Sequence, residues 1–240
     1  MRTRIIPTLL LKNESLVKTT KFNNFNYIGD PCNTIRIFNE LEVDELMLLD
    51  ITASKEGKEP NYSLLKDIAS ECFMPLSYGG GVRSVEQARQ IFNIGFEKIC
   101  INSVALDDIN IVSAISEEFG AQAVIGSIDY KKPFFGKVQV FNSSNNKFTG
   151  KDVVDWSKTL TDAGVGEILL TAIEKEGTWN GYDLEMIKLV TSAINIPLIA
   201  HGGCGKFSDI KAAVYEGCAS AVAVGNMVVY QKKEMGVLVN

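Results

Sequence analysis

Eight short apolar runs recur along the 240 residues, and they constrain the fold more than anything else in the chain. They are "RIIPTLLL" from Arg4, "ELMLLDI" from Glu45, "MPLSYGG" from Met74, "KICINS" from Lys98, "AVIGSID" from Ala123, "EILLTAI" from Glu167, "IPLIAHGG" from Ile196 and "AVAVGN" from Ala221. Most of the segments between them carry helical periodicity, as in "SVEQARQIFNIG" from Ser84 and "SDIKAAVYEG" after Phe207. Continuous apolar runs suit parallel strands covered on both faces, and strand–helix alternation implies a parallel sheet. Eight such units predict an α/β chain folded as a closed (β/α)8 TIM barrel. No Pro/Ser-rich linker divides the chain, so residues 1–240 are expected to form a single domain.

The chain also repeats itself at offsets of about 120 residues. "MPLSYGGG" from Met74 resembles "IPLIAHGGCG" from Ile196, and "LLDITASKEG" from Leu48 resembles "LLTAIEKEGT" from Leu169. The same offset lays "RIIPTLLLKN" onto "AVIGSIDYKK", which predicts two similar half-barrels, about 1–120 and 121–240. Asp129 ends the later strand; its counterpart near the start is Leu10.

Composition narrows the function. A diffuse net charge of −5, with no basic run of five, gives no footprint for nucleic acid. Five cysteines, an odd number with no CxxC pair, fit reduced thiols in a cytoplasmic protein better than disulfides or a zinc site. The first apolar run is short, holds Pro7 and stops at Lys12, so it reads as neither a signal peptide nor a membrane span. A soluble cytoplasmic protein without metal or cofactor is the expectation.

Glycines follow two strands: Gly79, Gly80 and Gly81, then Gly202 and Gly203. Their backbone N–H groups can approach an anion closely, although tight strand-to-helix turns use glycine too. Two such places, each followed by a small polar strand end ("INS" at 101–103, "VGN" at 224–226), suggest two phosphate sites for an elongated ligand. Asp50 and Asp129 end strands at the face where barrel chemistry sits, and a buried acid there can move protons. Asp50, with Thr52 and Ser54 behind it, equally suits loop anchoring. Lys18, expected in the loop after the first strand, reads either as a substrate contact or as a solvated side chain. His201, the only histidine, has a hydrogen-bonded structural role as its default.

At the opposite face Arg4, Glu45, Lys98 and Glu167 each start or precede a strand. Two positive and two negative charges could close into a neutral ring, or could simply be solvated. Period-two alternation puts Lys98 in phase with Asn102, Glu167 with Thr171 and Arg4 with Leu10. Glu45 and Asp50 are out of phase, which would require a bulge in the second strand.

These residues bring the chain close to one family over nearly its full length. "GDP" at 29–31, "DELMLLDITAS" at 44–54, "GGGVRSVEQAR" at 79–89, "GAQAV" at 120–124, "GEILLTAIEKEGT" at 166–178 and "GYDLEMI" at 181–187 resemble HisF, the cyclase subunit of imidazole glycerol phosphate synthase. The resemblance implies a partner, a HisH-type glutaminase, that docks on the barrel bottom and releases ammonia. The ammonia would pass a charged gate, cross the barrel and react at the top with a bisphosphorylated ribonucleotide. On this resemblance Arg4, Glu45, Lys98 and Glu167 are the gate, and Glu97 and Gln122 contact the glutaminase. Gly81, Asn102 and Ser103 form one phosphate site, and Gly177, Gly203 and Gly225 the other. On the same resemblance Lys18, Asp50 and Thr171 are assigned to the substrate loop. Glu176 stands where the family usually has aspartate, and "VKT" at 17–19 replaces its usual "VKG".

One of the family's two catalytic aspartates is Asp129; the other falls on Leu10. Leucine cannot transfer a proton, and a positioned acid or base typically contributes ~10²–10⁴-fold. The expected function is therefore a HisF-like subunit that passes ammonia to an acceptor other than the histidine precursor. The resemblance extends to pairs that serve a third, sugar-amidating protein in surface-polysaccharide synthesis. A histidine-pathway cyclase and a non-catalytic, ligand-sensing scaffold for the glutaminase are the alternatives.

Overall fold

The computed structural model of the chain describes residues 3–233 and 235–237. Its eight barrel strands are β1 (Arg4–Lys12), β2 (Leu46–Asp50), β3 (Leu76–Gly79), β4 (Lys98–Ile101), β5 (Val124–Lys131), β6 (Glu167–Ala172), β7 (Leu198–His201) and β8 (Ala221–Val224). Each runs parallel to the next, and β8 returns to pair with β1 from Arg4↔Ala221 to Pro7↔Val224. The sheet is therefore closed, with helices between its strands, as the eight apolar runs predicted.

Period-two alternation divides the strand residues between two cores. Ile6, Met47, Cys100, Ile125, Leu169, Ile199, Ala221 and Ala223 fill the barrel interior. Leu9, Leu11, Leu48, Ile99, Ile128 and Val222 point outward and pack under the helices. Burial on both faces is why the runs read as almost unbroken apolar sequence. Each fully buried aliphatic side chain contributes roughly 1.5–3 kcal/mol. Helix starts are set locally. Ser84 accepts from the Gln87 amide at the head of Val85–Ile94, and Asp183 from the Met186 amide at the head of Leu184–Thr191. Each satisfies an amide that the helix itself leaves unpaired. No helix among the described residues is long and apolar enough to cross a membrane.

Two expectations change. The second strand needs no bulge, because the registers Thr8↔Met47 to Leu11↔Asp50 and Leu46↔Leu76 to Leu49↔Gly79 run without a shift. Glu45 shares the inward phase of Met47, while Asp50 is out of phase and turns its carboxylate onto the following backbone. Lys18 is also not in a loop. It lies on Ser15–Thr20, which forms a hairpin with Asn23–Gly29 after β1. A second hairpin, Gln139–Asn142 with Lys147–Phe148, follows β5.

Candidate functional site

The four charges at the barrel bottom do close into a ring. Arg4 donates to Glu45 at 2.7 Å and to Glu167 at 2.9 Å, and Lys98 reaches Glu45 at 3.2 Å and Glu167 at 3.0 Å. Charges alternate in sign around it, so each side chain has two opposite neighbours. Burial disfavours the Arg4 guanidinium, but the hydrogen bonds and charges of Glu167 and Glu45 outweigh it and keep it protonated. Glu97 and Gln122 are exposed at this same end, just before β4 and β5.

At the other end the strands open into a cavity. Leu10, Asp50, Gly81, Asn102, Asp129 and His201 are among its walls. A smaller space adjoins it, walled by Lys18, Gly177, Gly203, Gly225 and Asn226, with Leu10, Glu176 and His201 shared by both. The mouth is thus elongated, with a glycine-lined recess at each end.

Asp129 lies in the wall of the larger space. Its Oδ2 accepts from Asn102 Nδ2 at 3.0 Å and from Ser143 Oγ at 2.6 Å, the latter in the turn of the second hairpin. Burial pushes its carboxyl up to about 6, with the Ser143 and Asn102 hydrogen bonds pulling the other way. At that value it can hold or release a proton near neutrality. Thr171 is the Cα partner of both Asp129 and His201, and its hydroxyl lies 3.1 Å from His201 Nδ1. Thr171 is therefore a buried strand residue, not part of a loop.

Asp50 divides its roles. It lines the cavity, yet its Oδ1 accepts from the Thr52 amide, the Thr52 hydroxyl and the Ala53 amide. The anchoring reading fits these bonds. Lys18 is not solvated: it is 3 % exposed and donates to the Thr8 carbonyl at 2.5 Å. Burial lowers its amine to about 8, partly offset by the charge of Glu176. Glu176 accepts from the Thr19 hydroxyl and the Phe22 amide, which clamps the first hairpin over the recess. Gly177 has φ +72°, and a side chain there would press into the Thr19 carbonyl. Gly225 faces Lys18 so closely that an added Cβ would lie 2.9 Å from its Nζ.

Cys100 sits in the wall below, and burial pushes its thiol up to about 12, so it acts as apolar lining. Sequence reasoning missed Ser143, because the hairpin that carries it was unforeseen. "FNSSNNKF", a polar turn between β-rich flanks, was the available signal. It also left His201 as merely structural, although the residue walls both spaces.

Eight parallel strands closed into a barrel, with a cavity at their C-terminal ends, define a (β/α)8 protein of the kind that carries its chemistry on that face. Comparison with known proteins narrows this class. The histidine biosynthesis protein family matches residues 4–234. Two relatives bear the designation "Putative imidazole glycerol phosphate synthase subunit": hisF2 of Pseudomonas aeruginosa PAO1 and HisF of Leptospira borgpetersenii. The first is 45% identical over 240 residues, covering 100% of this chain and 96% of the relative. The second is 44% identical over 241 residues, covering 100% and 95%. The imidazole glycerol phosphate synthase subunit HisF of Alkaliphilus metalliredigens is 38% identical over 229 residues, covering 95% and 91%. The chain belongs to the HisF family of histidine biosynthesis proteins.

Proposed function

We propose that this chain is the ammonia-accepting subunit of a glutamine amidotransferase, working with a HisH-type glutaminase and serving an acceptor other than the histidine precursor. The relatives' designation as synthase subunits supports the pairing. The glutaminase docks on the bottom face, over the ring of Arg4, Glu45, Lys98 and Glu167, with Glu97 and Gln122 beside it. The ring gates entry, and the apolar layer of Ile6, Met47, Ile125 and Leu169 above it favours neutral ammonia over ammonium.

At the top, the two glycine-lined recesses suit a ligand with an anionic group at each end. Gly81, Asn102 and Ser103 face one group; Gly177, Gly203, Gly225 and Lys18 face the other. The ammonia is passed to a substrate at this face, and a third, sugar-amidating protein is the expected partner that the reaction serves. The five free cysteines suit a reducing cytoplasm.

One observation carries the choice of acceptor. Leu10, not a carboxylate, shares the cavity wall with Asp129. Groups that act as a pair lose most of their joint effect when one is removed.

The test is cyclase turnover of the bisphosphorylated ribonucleotide with ammonium chloride, for wild type and for Leu10→Asp. The expected result is an inert wild type and a gain of at least ~10²-fold in the variant. Wild-type turnover at rates ordinary for a histidine-pathway cyclase would overturn the reading and make this a histidine enzyme.

A further inference from the structure

We propose that His201 is the second proton-transfer group of this mouth, brought into use when an anionic end of the ligand fills the recess beside Lys18. The inference rests on the reading of that recess as a phosphate site.

Position comes first. Asn102, Asp129, Thr171 and His201 end four successive strands, and Thr171 is in direct register with both Asp129 and His201. Past His201, β8 presents only Gly225, and the strand after that presents Leu10. His201 and Leu10 wall both spaces, with the Lys18 amine in the gap that Gly225 leaves. Where Leu10 cannot act, the histidine shares with it the wall common to both spaces, while Asp50, on the strand at the other side of Leu10, is held by Thr52 and Ala53.

Orientation follows. Nδ1 is engaged with Thr171, and Nε2 has no hydrogen-bond partner among the described residues. A purely structural histidine in a packed core is expected to use both nitrogens; this one turns the second toward an open cavity. In the tautomer that donates Nδ1–H to Thr171, Nε2 is the bare, proton-accepting nitrogen.

Control lies with the neighbours. Burial first, and the Lys18 charge second, lower the imidazole to about 3. The other titratable groups that wall these spaces are Glu176 from the segment after β6, Asp129 from β5, Asp50 and Lys55 from the end of β2 and the segment after it, and the Cys100 and Cys204 thiols, which burial keeps neutral. A phosphate dianion in the recess would neutralise Lys18 and add negative charge beside the ring. Both effects favour imidazolium.

The chemistry then balances. Ammonia nitrogen bonds to a carbonyl-type carbon of the acceptor, and the carbon–oxygen π pair moves to oxygen. The surplus proton on nitrogen passes to Nε2, while protonated Asp129 supplies a proton to the oxygen.

His201 is the only histidine, so its imidazole gives one unambiguous NMR signal in the full-length protein. It would be titrated without anion, with saturating inorganic phosphate, and in Lys18→Met and Lys18→Arg. Phosphate should shift the Gly177, Gly203 and Gly225 amides and raise the imidazole midpoint by about one unit or more. Lys18→Met should raise it without phosphate, and Lys18→Arg should keep it low. If those amides move and the imidazole does not, or if Lys18→Met leaves it unchanged, the proposal is overturned. If phosphate moves no recess amide, the phosphate-site reading fails and takes this inference with it. The ammonia-acceptor reading, tested by the Leu10→Asp turnover, would stand untouched.

Discussion

Ser143 Oγ donates to Asp129 Oδ2 across 2.6 Å, and so ties the turn of a hairpin to the carboxylate at the barrel mouth. The bond favours the charged carboxylate against its own burial. Ser143→Ala should therefore move the Asp129 midpoint upward. Carbon-detected titration of the Asp129 carboxyl would read this, and a downward move would contradict the geometry. Asn102 Nδ2 remains as a donor, so the shift should stay short of full desolvation.

Asp129 itself costs stability. Its folded value of about 6 lies above the ordinary 3.8, so the native state binds the proton more tightly than the unfolded chain. That contribution is fully present below the ordinary value and is lost as pH rises through the folded one. Asp129→Asn keeps a carbonyl oxygen for Asn102 and Ser143 and removes the charge. It should be more stable than wild type at neutral pH by roughly 2–3 kcal/mol, with the gap closing toward pH 4. Urea unfolding at the two pH values checks this; equal gaps at both would mean that charge is not the cause.

Glu45 is the most buried member of the bottom ring and serves both cations. Removing it leaves Arg4 and Lys98 sharing Glu167 alone. Arg4 is 29% exposed and Lys98 17%, so water screens part of the loss. Glu45→Ala should cost roughly 1–3 kcal/mol, below the range for fully buried pairs. Adding Lys98→Ala should recover part of that in a double-mutant cycle. Strict additivity would show that the ring is not a unit.

Glu176 pins the first hairpin through the Thr19 hydroxyl and the Phe22 amide. Glu176→Ala leaves both without that partner, and a buried orphan costs about 1–3 kcal/mol. Faster hydrogen exchange at residues 15–29, with the barrel strands unchanged, is the expected signature. Uniform acceleration everywhere would instead point to global destabilisation.

The barrel was legible in the sequence because burial on both faces leaves continuous apolar runs, and helical stretches separate them. Phase also placed Lys98, Glu167 and Arg4 inside correctly, since side chains alternate strictly along a strand. It misled for the second strand. Asp50 was assumed to point inward like Glu45, whereas the strand end lets its carboxylate fold back onto Thr52 and Ala53. The hairpins escaped because their short strands gain stability from pairing with β1 and β5, which local composition does not record.

What the chain alone determined is what alternation and residue chemistry carry: eight strands, four charges at strand starts, glycines at strand ends, and a leucine where its counterpart is an acid. What only the tertiary structure decided is which groups share an environment. Lys18, Glu176 and His201 are far apart in sequence, yet they meet at one recess. Lys18 is lowered to about 8, His201 to about 3, and Asp129 in the adjoining cavity is raised to about 6. The physical reason is desolvation. It depends on everything packed around a group, and no local stretch of sequence contains it.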